Sequence, residues 1–222
     1  MRFAFVLSAL VVPAFASAAE PNLSAKVEKA APPEALAEPI RKLLDEQALV
    51  VRDGDAEVMT VWFRAEMPVK ATEEQVKNGL TYREIPDGSL VGAVRFPATF
   101  TDFRKQEIAA GAYTLRFAIQ PDIGDHTGTS PHPEFCLMCP ADKDKSVDPV
   151  EKKKLIEVSS AVNEGRHPAV LLLWPNNGTD AGAKVVSKGE GVYVATIKRA
   201  VAAGDRKATL GFGVTVAGVR KE

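Results

Sequence analysis

The sequence predicts a mainly β protein, an antiparallel β-sandwich of jelly-roll type preceded by a short N-terminal helix. Three observations lead there. Short runs with a two-residue apolar period recur along most of the chain. Gly, Pro, Asn and Asp cluster between these runs, as turns require. Very few stretches carry the 3.6-residue period of an amphipathic helix. No internal repeat is visible.

The elements follow in order. Residues Met1 to Ala19 (1–19) read as a secretory signal peptide. Arg2 supplies the positive start, Phe3 to Val12 an apolar run too short to span a bilayer, Pro13 a break, and Ala16-Ser17-Ala18-Ala19 small residues for cleavage. Export to the periplasm or beyond the cell is therefore expected. Glu20 to Pro33 (20–33), rich in Ala, Pro and charge, reads as a flexible leader. The remainder, 34–222, is expected to form one domain. Leu36, Ile40, Leu43 and Leu44 share a helical face, with Pro39 suited to the first turn. Val50-Val51 and Glu57 to Arg64 read as strands joined through Asp53-Gly54. Thr72-Glu73-Glu74-Gln75 has the form of a capping box and opens a brief helix ending near Gly79. Ser89 to Phe96 and Ala112 to Gln120 are further strands. Ala169 to Trp174 is a continuous apolar run, as in a strand buried on both faces. Val185 to Ser187, Gly191 to Ile197 and Ala208 to Val216 complete the set. A long connection is expected near 121–149.

Within the chain, Asp102-Phe103-Arg104-Lys105-Gln106-Glu107-Ile108, Gly111-Ala112-Tyr113-Thr114-Leu115-Arg116, Gln120-Pro121 and Gly124-Asp125-His126 form a recognisable series. It resembles a family of secreted bacterial proteins to which no function is assigned. The Gly-x-Tyr-Thr-Leu piece is also similar to a broader group of β-sandwich domains. The likeness runs from about Ile40 to Pro140; it implies export and a β-sandwich and carries no activity. In that family the stretch after Phe135 resembles a plain aliphatic strand, so Cys136 and Cys139 depart from its pattern.

Chemistry concentrates in one place. His126, His132, Cys136, Met138 and Cys139 hold two of the three histidines and both cysteines. If they converge on a turn bracketed by Pro131, Pro133 and Pro140, their imidazole, thiolate and thioether groups suit copper or zinc. Phe135-Cys136-Leu137-Met138-Cys139 reads equally as a buried strand. Cysteines three apart would then face opposite ways, able neither to pair nor to share an ion. A Cys136–Cys139 disulfide is a third reading. Thiol redox catalysis lacks its usual βαβ context.

Weaker signals surround this cluster. Asp142 to Asp148 begins like a calcium loop, but Val147 stands at the turn-glycine place and Lys153 where the closing glutamate belongs. Lys152-Lys153-Lys154 reads as a solvated surface. Trp62, Tyr113, Trp174 and Tyr193 could form a sugar platform or close a core. Asn177-Gly178-Thr179 fits a glycosylation acceptor or a hairpin turn. No nucleophile elbow and no phosphate-binding glycine pattern occurs. A formal net charge of -1 argues against a nucleic-acid partner, and no later stretch is apolar enough to span a membrane as a helix. The expected role is a non-enzymatic binding or structural protein of the bacterial cell envelope, its ligand or envelope partner unknown. The alternatives are a copper- or zinc-binding protein using the His/Cys/Met cluster and a carbohydrate-binding module.

Overall fold

The structure, a computed structural model, describes residues 20–121, 130–164 and 167–220. The protein is mainly β. One 11-stranded sheet runs in the order β1 (Leu23–Lys29), β2 (Gln47–Asp53), β3 (Ala56–Phe63), β5 (Leu90–Phe96), β8 (Gly111–Ile119), β9 (Glu134–Pro140), β10 (Ala169–Pro175), β13 (Arg206–Ala217), β12 (Tyr193–Ala203), β11 (Lys184–Ser187). The short β4 (Met67–Pro68) adds parallel to β12, which makes the sheet mixed. A separate two-stranded ribbon pairs β6 (Phe100–Thr101) with β7 (Glu107–Ile108). The strands form one strongly curled half-barrel sheet, where two stacked sheets were expected. Its first and last strands, β1 and β11, come into contact without pairing in a ladder.

Local sequence explains the ladder. The hairpins β2–β3 and β12–β13 are joined by two-residue turns and pair antiparallel. The β2–β3 loop is the two residues Gly54-Asp55, one residue later than the sequence signal suggested, and Gly54 adopts φ 56 to make the reversal. Gly204-Asp205 repeats the device between β12 and β13. Thr72 caps helix α2 (Glu73–Asn78) with the reciprocal Thr72/Gln75 bonds expected of a capping box.

Alternation then decides what each strand buries. Phe63, Phe96, Leu115, Phe117, Leu171 and Phe212 point into the curl and fill it with side chains. Phe96 stacks on Phe100 with centroids 4.4 Å apart, and Phe63 packs on Phe212 at 5.1 Å. The outer face is covered in patches. The segment around helix α1 (Glu38–Arg41) lays Leu36, Ile40 and Leu44 over Trp62 and Ala93. Phe103 lies over Leu172 and Val194. Helix α3 (Lys152–Ser160) seats Leu155 against Leu137 and Cys139.

Three sequence expectations are corrected. The stretch 20–33 is not a free leader: Leu23–Lys29 pairs along its whole length with β2, and Arg52 makes a bidentate pair with Glu28 at 2.6 and 2.8 Å. Leu23, Ala25 and Val27 alternate with Ser24, Lys26 and Glu28, a two-residue strand period hidden in a stretch otherwise rich in Ala, Pro and charge. The helix with Pro39 in its first turn exists as a single turn, and it follows β1, so among the described residues no helix precedes the sheet. The expected connection at 121–149 is interrupted by β9. Lys152-Lys153-Lys154 forms the first turn of α3, where Glu151 accepts from the Lys153 and Lys154 amides.

One polar interaction crosses the covered outer face. Arg116, on β8, is fully buried. Its Nε and Nη2 donate to the two oxygens of Asp144 at 2.7 and 2.8 Å. Nη1 donates to Asp148 O at 2.8 Å and Gly88 O at 3.3 Å, Nη2 also to Ser146 O, and Thr114 donates to Asp144. This pin fastens residues 141–150 to the sheet. Removing one partner strands the other charge without solvent. We expect Arg116→Met to lower unfolding free energy by about 3–5 kcal/mol, measured by chemical denaturation, and Arg116→Met with Asp144→Leu to lose less than that single variant.

Candidate functional site

The His/Cys/Met cluster is resolved by β9. Cys136 pairs with Phe117 and Leu171, Met138 with Leu115 and Ala169, and both enter the central core. Cys139, opposite Thr114, points to the other face with Leu137, beneath Leu155 of α3. The two cysteines are free and fully buried on opposite faces of one strand. Burial raises both thiols, Cys139 to about 12 and Cys136 further, so neither is a thiolate at neutral pH. The expectation that Cys136, Met138, Cys139 and His132 converge on one ion is therefore corrected: Cys136 and Met138 face the core, Cys139 the opposite side of the strand, and His132 packs on Trp174. His126 lies outside the described residues. Among the described residues no group of three or more His, Cys, Asp or Glu side chains could hold a metal ion.

His132 instead packs edge-on against Trp174, centroids 4.7 Å apart, while Lys188 Nζ lies 5.6 Å from the Trp174 ring centroid. Burial lowers the imidazole below its ordinary value, opposed by the charge of Glu134. The four aromatic residues considered for a sugar platform are scattered. Trp62 closes the outer cluster and donates to Ala30 O, Tyr113 is in the core, and Trp174 and Tyr193 pack in different clusters. The calcium-like loop spends Asp144 on Arg116 and Thr114. His167 is exposed at the start of β10.

The polar residues of the Asp102–Arg116 stretch all serve the fold. Asp102 is fully buried and accepts from the amides of Arg104 and Gln106 at 2.9 Å, and from Val170 at 3.3 Å, tying the β6–β7 turn to β10. Tyr113 donates back to Ala109 O at 2.8 Å, a tyrosine-corner type of contact. Thr114 and Arg116 bind Asp144.

A second set of polar groups, most of them hydrogen-bonded within the fold and Glu134 the exception, meets in a groove of about 260 Å³ at one mouth of the curled sheet. Its floor is Tyr82. Thr81 and Glu84 cap the short 3-10 turn Tyr82–Glu84 reciprocally, which drives Tyr82 inward and leaves Arg83 outward. The Tyr82 ring packs on Phe212 and Phe117, and its hydroxyl donates to Trp174 O at 2.7 Å and accepts from Gly213 N at 3.0 Å. Asn176 forms part of the rim because β13 carries Gly211 there; a Cβ at Gly211 would stand 1.9 Å from Asn176 O. Glu134, first residue of β9, faces the groove and is 9 % exposed. Its nearest opposite charge is Arg83, Nε to Oε1 3.9 Å, too long for a hydrogen bond.

Sequence reasoning had no signal for Glu134, which differs from any other acidic residue only in what surrounds it. The capping-box spacing of Thr81 and Glu84 could have located the turn. Comparisons with family models, with curated proteins and with solved structures find no match. Among the described residues no helix is long and apolar enough to cross a membrane.

Two outcomes follow from this geometry. Ellman's reagent should leave both thiols unmodified in the native protein and titrate two in denaturant; rapid labelling without denaturant would contradict the strand placement. His132 has a folded-state value below the ordinary 6.5, so the unfolded chain takes up a proton first as pH falls. Stability attributable to His132 is thus present above pH 6.5 and declines below it, and His132→Gln should flatten that decline in a pH series of unfolding free energies.

Proposed function

We propose that this protein is an exported, non-enzymatic binding protein of the bacterial cell envelope. The groove at the mouth of its curled sheet takes a small ligand. The observation that carries this reading is the distribution of polar side chains. Arg116, Asp144, Thr114, Asp102 and Tyr113 are consumed by hydrogen bonds within the fold. Glu134, by contrast, is largely buried and faces an open cavity with Thr81, Asn176 and Asn177 around it. A concave site with a few convergent polar groups is the usual form of a small-molecule pocket.

Export is supported by the order of charge, apolar run, proline and small residues over Met1 to Ala19. The non-enzymatic part is supported by the two thiols, which are neutral and enclosed. The near-neutral charge favours a small ligand or envelope partner over nucleic acid.

The test is calorimetric and thermal. The chain from Glu20 onward should bind at least one small polar solute from an envelope extract, raise its unfolding midpoint on binding, and release the solute unchanged. Chemical conversion of the solute would sink the non-enzymatic reading.

A further inference from the structure

We infer that the groove recognises a primary alkylammonium group, with Glu134 as its counter-ion. This deepens the reading of the groove as a ligand site and rests on it.

A carboxylate held 9 % exposed at a strand end is costly unless its charge is answered. Elsewhere in this protein such charges are fully answered: Asp144 has a bidentate arginine and a threonine hydroxyl, and Asp102 has three backbone amides. Glu134 alone among the buried carboxylates of the described residues has no hydrogen-bond donor. Its one charged neighbour, Arg83, stands 3.9 Å off, and its side chain is 74 % exposed. Screened by water at that exposure, the pair is worth little. The site is therefore built for a cation that is not Arg83 and comes from the solvent side.

The donor set narrows the cation. A single carboxylate with amide and hydroxyl groups nearby is too poor in charge for calcium, which takes six to eight oxygens, and among the described residues no group of three or more His, Cys, Asp or Glu side chains could hold a metal ion. It matches an ammonium, whose three N–H donors need one charged and two neutral acceptors. Glu134 supplies the first; Thr81, Asn176 and Asn177 line the same cavity, the Thr81 hydroxyl being shared with the Glu84 cap. The remaining wall is apolar. Leu80, Pro175 and Leu210 flank the carboxylate and would receive the alkyl part that an ammonium ligand carries. Tyr82 closes the floor, and burial raises its phenol far above the ordinary range, so it brings no competing charge.

The test uses propylammonium chloride as the cationic probe, with 1-propanol and sodium propionate as neutral and anionic counterparts. Each is titrated into the ¹⁵N-labelled chain from Glu20 onward. The expected result is a saturable shift of the Thr81, Arg83, Asn176 and Asn177 signals with propylammonium alone. Glu134→Gln should weaken it by at least about tenfold, the weight of a charge-assisted hydrogen bond. Arg83→Ala, an exposed change that leaves the fold intact, should tighten it roughly two- to fivefold by removing a screened competitor. Equal shifts with 1-propanol, insensitive to Glu134→Gln, would overturn the ammonium inference and keep the groove as a ligand site. No shift with any probe would overturn both. If Glu134→Gln fails to fold, Arg83→Ala decides: unchanged or weakened affinity refutes a cation at Glu134.

Discussion

The ion pair of Arg116 and Asp144 is the constraint from which the outer half of this protein is built. Arg116 sits mid-strand on β8, on the face that alternation turns away from the curled interior. A charge there would ordinarily be solvated. Instead it gathers Asp144, Ser146 O and Asp148 O from the connection after β9 and reaches Gly88 O on the other side. The connection is thereby pressed flat. Val150 N then donates to Gly88 O, and Gly88 has no room for a side chain because Val150 O would lie 2.0 Å from its Cβ. Helix α3 starts from that fixed point and covers Leu137 and Cys139. A buried pair of this kind is a weak source of net stability and a strong source of geometric specificity, since every wrong placement of the loop leaves a charge unanswered.

The mouth of the sheet is organised by a second polar plug. Tyr82 is delivered by a capped turn and is held between the Trp174 carbonyl and the Gly213 amide, bridging β10 and β13. The curl is filled from within by aromatic and aliphatic side chains. The end of the curl is different: the tyrosine seals the core while leaving a cavity above it. Contrast between the two sites is informative. The Arg116 network is saturated and closed, which suits a structural role. Glu134 faces an open groove with only an exposed arginine 3.9 Å away, which suits a ligand.

Much of the sheet was legible in the sequence because strand alternation is a local property. The runs Glu57–Arg64, Ser89–Phe96, Ala112–Gln120 and Ala208–Val216 all fall on strands, and the Thr72–Gln75 capping box fell where α2 begins. The buried-strand alternative for Phe135–Cys139 was also readable, since two cysteines three apart take opposite faces in any strand. What escaped was of two kinds. Leu23–Lys29 pairs with Gln47–Asp53, and its short alternation of Leu23, Ala25 and Val27 is mostly exposed and stands in a stretch whose Ala, Pro and charge content read as a leader. The groove escaped because Thr81, Glu134 and Asn176 belong to three separate segments and acquire meaning only together.

By itself the sequence determined which residues share a strand face, where the chain reverses, and that Cys136 and Cys139 separate if Phe135–Cys139 is extended. These follow from the two-residue pleat and from the conformational freedom of Gly and Asn, both set within a few bonds. Tertiary structure alone decided that the strands close into one curled sheet and that Arg116 is buried, not solvated. It also decided that Glu134 faces a cavity. Those outcomes depend on partners 28 residues away for Arg116 and Asp144, and 131 residues away for Tyr82 and Gly213. A pleat specifies the face on which a side chain stands; only the folded chain specifies what arrives to cover it.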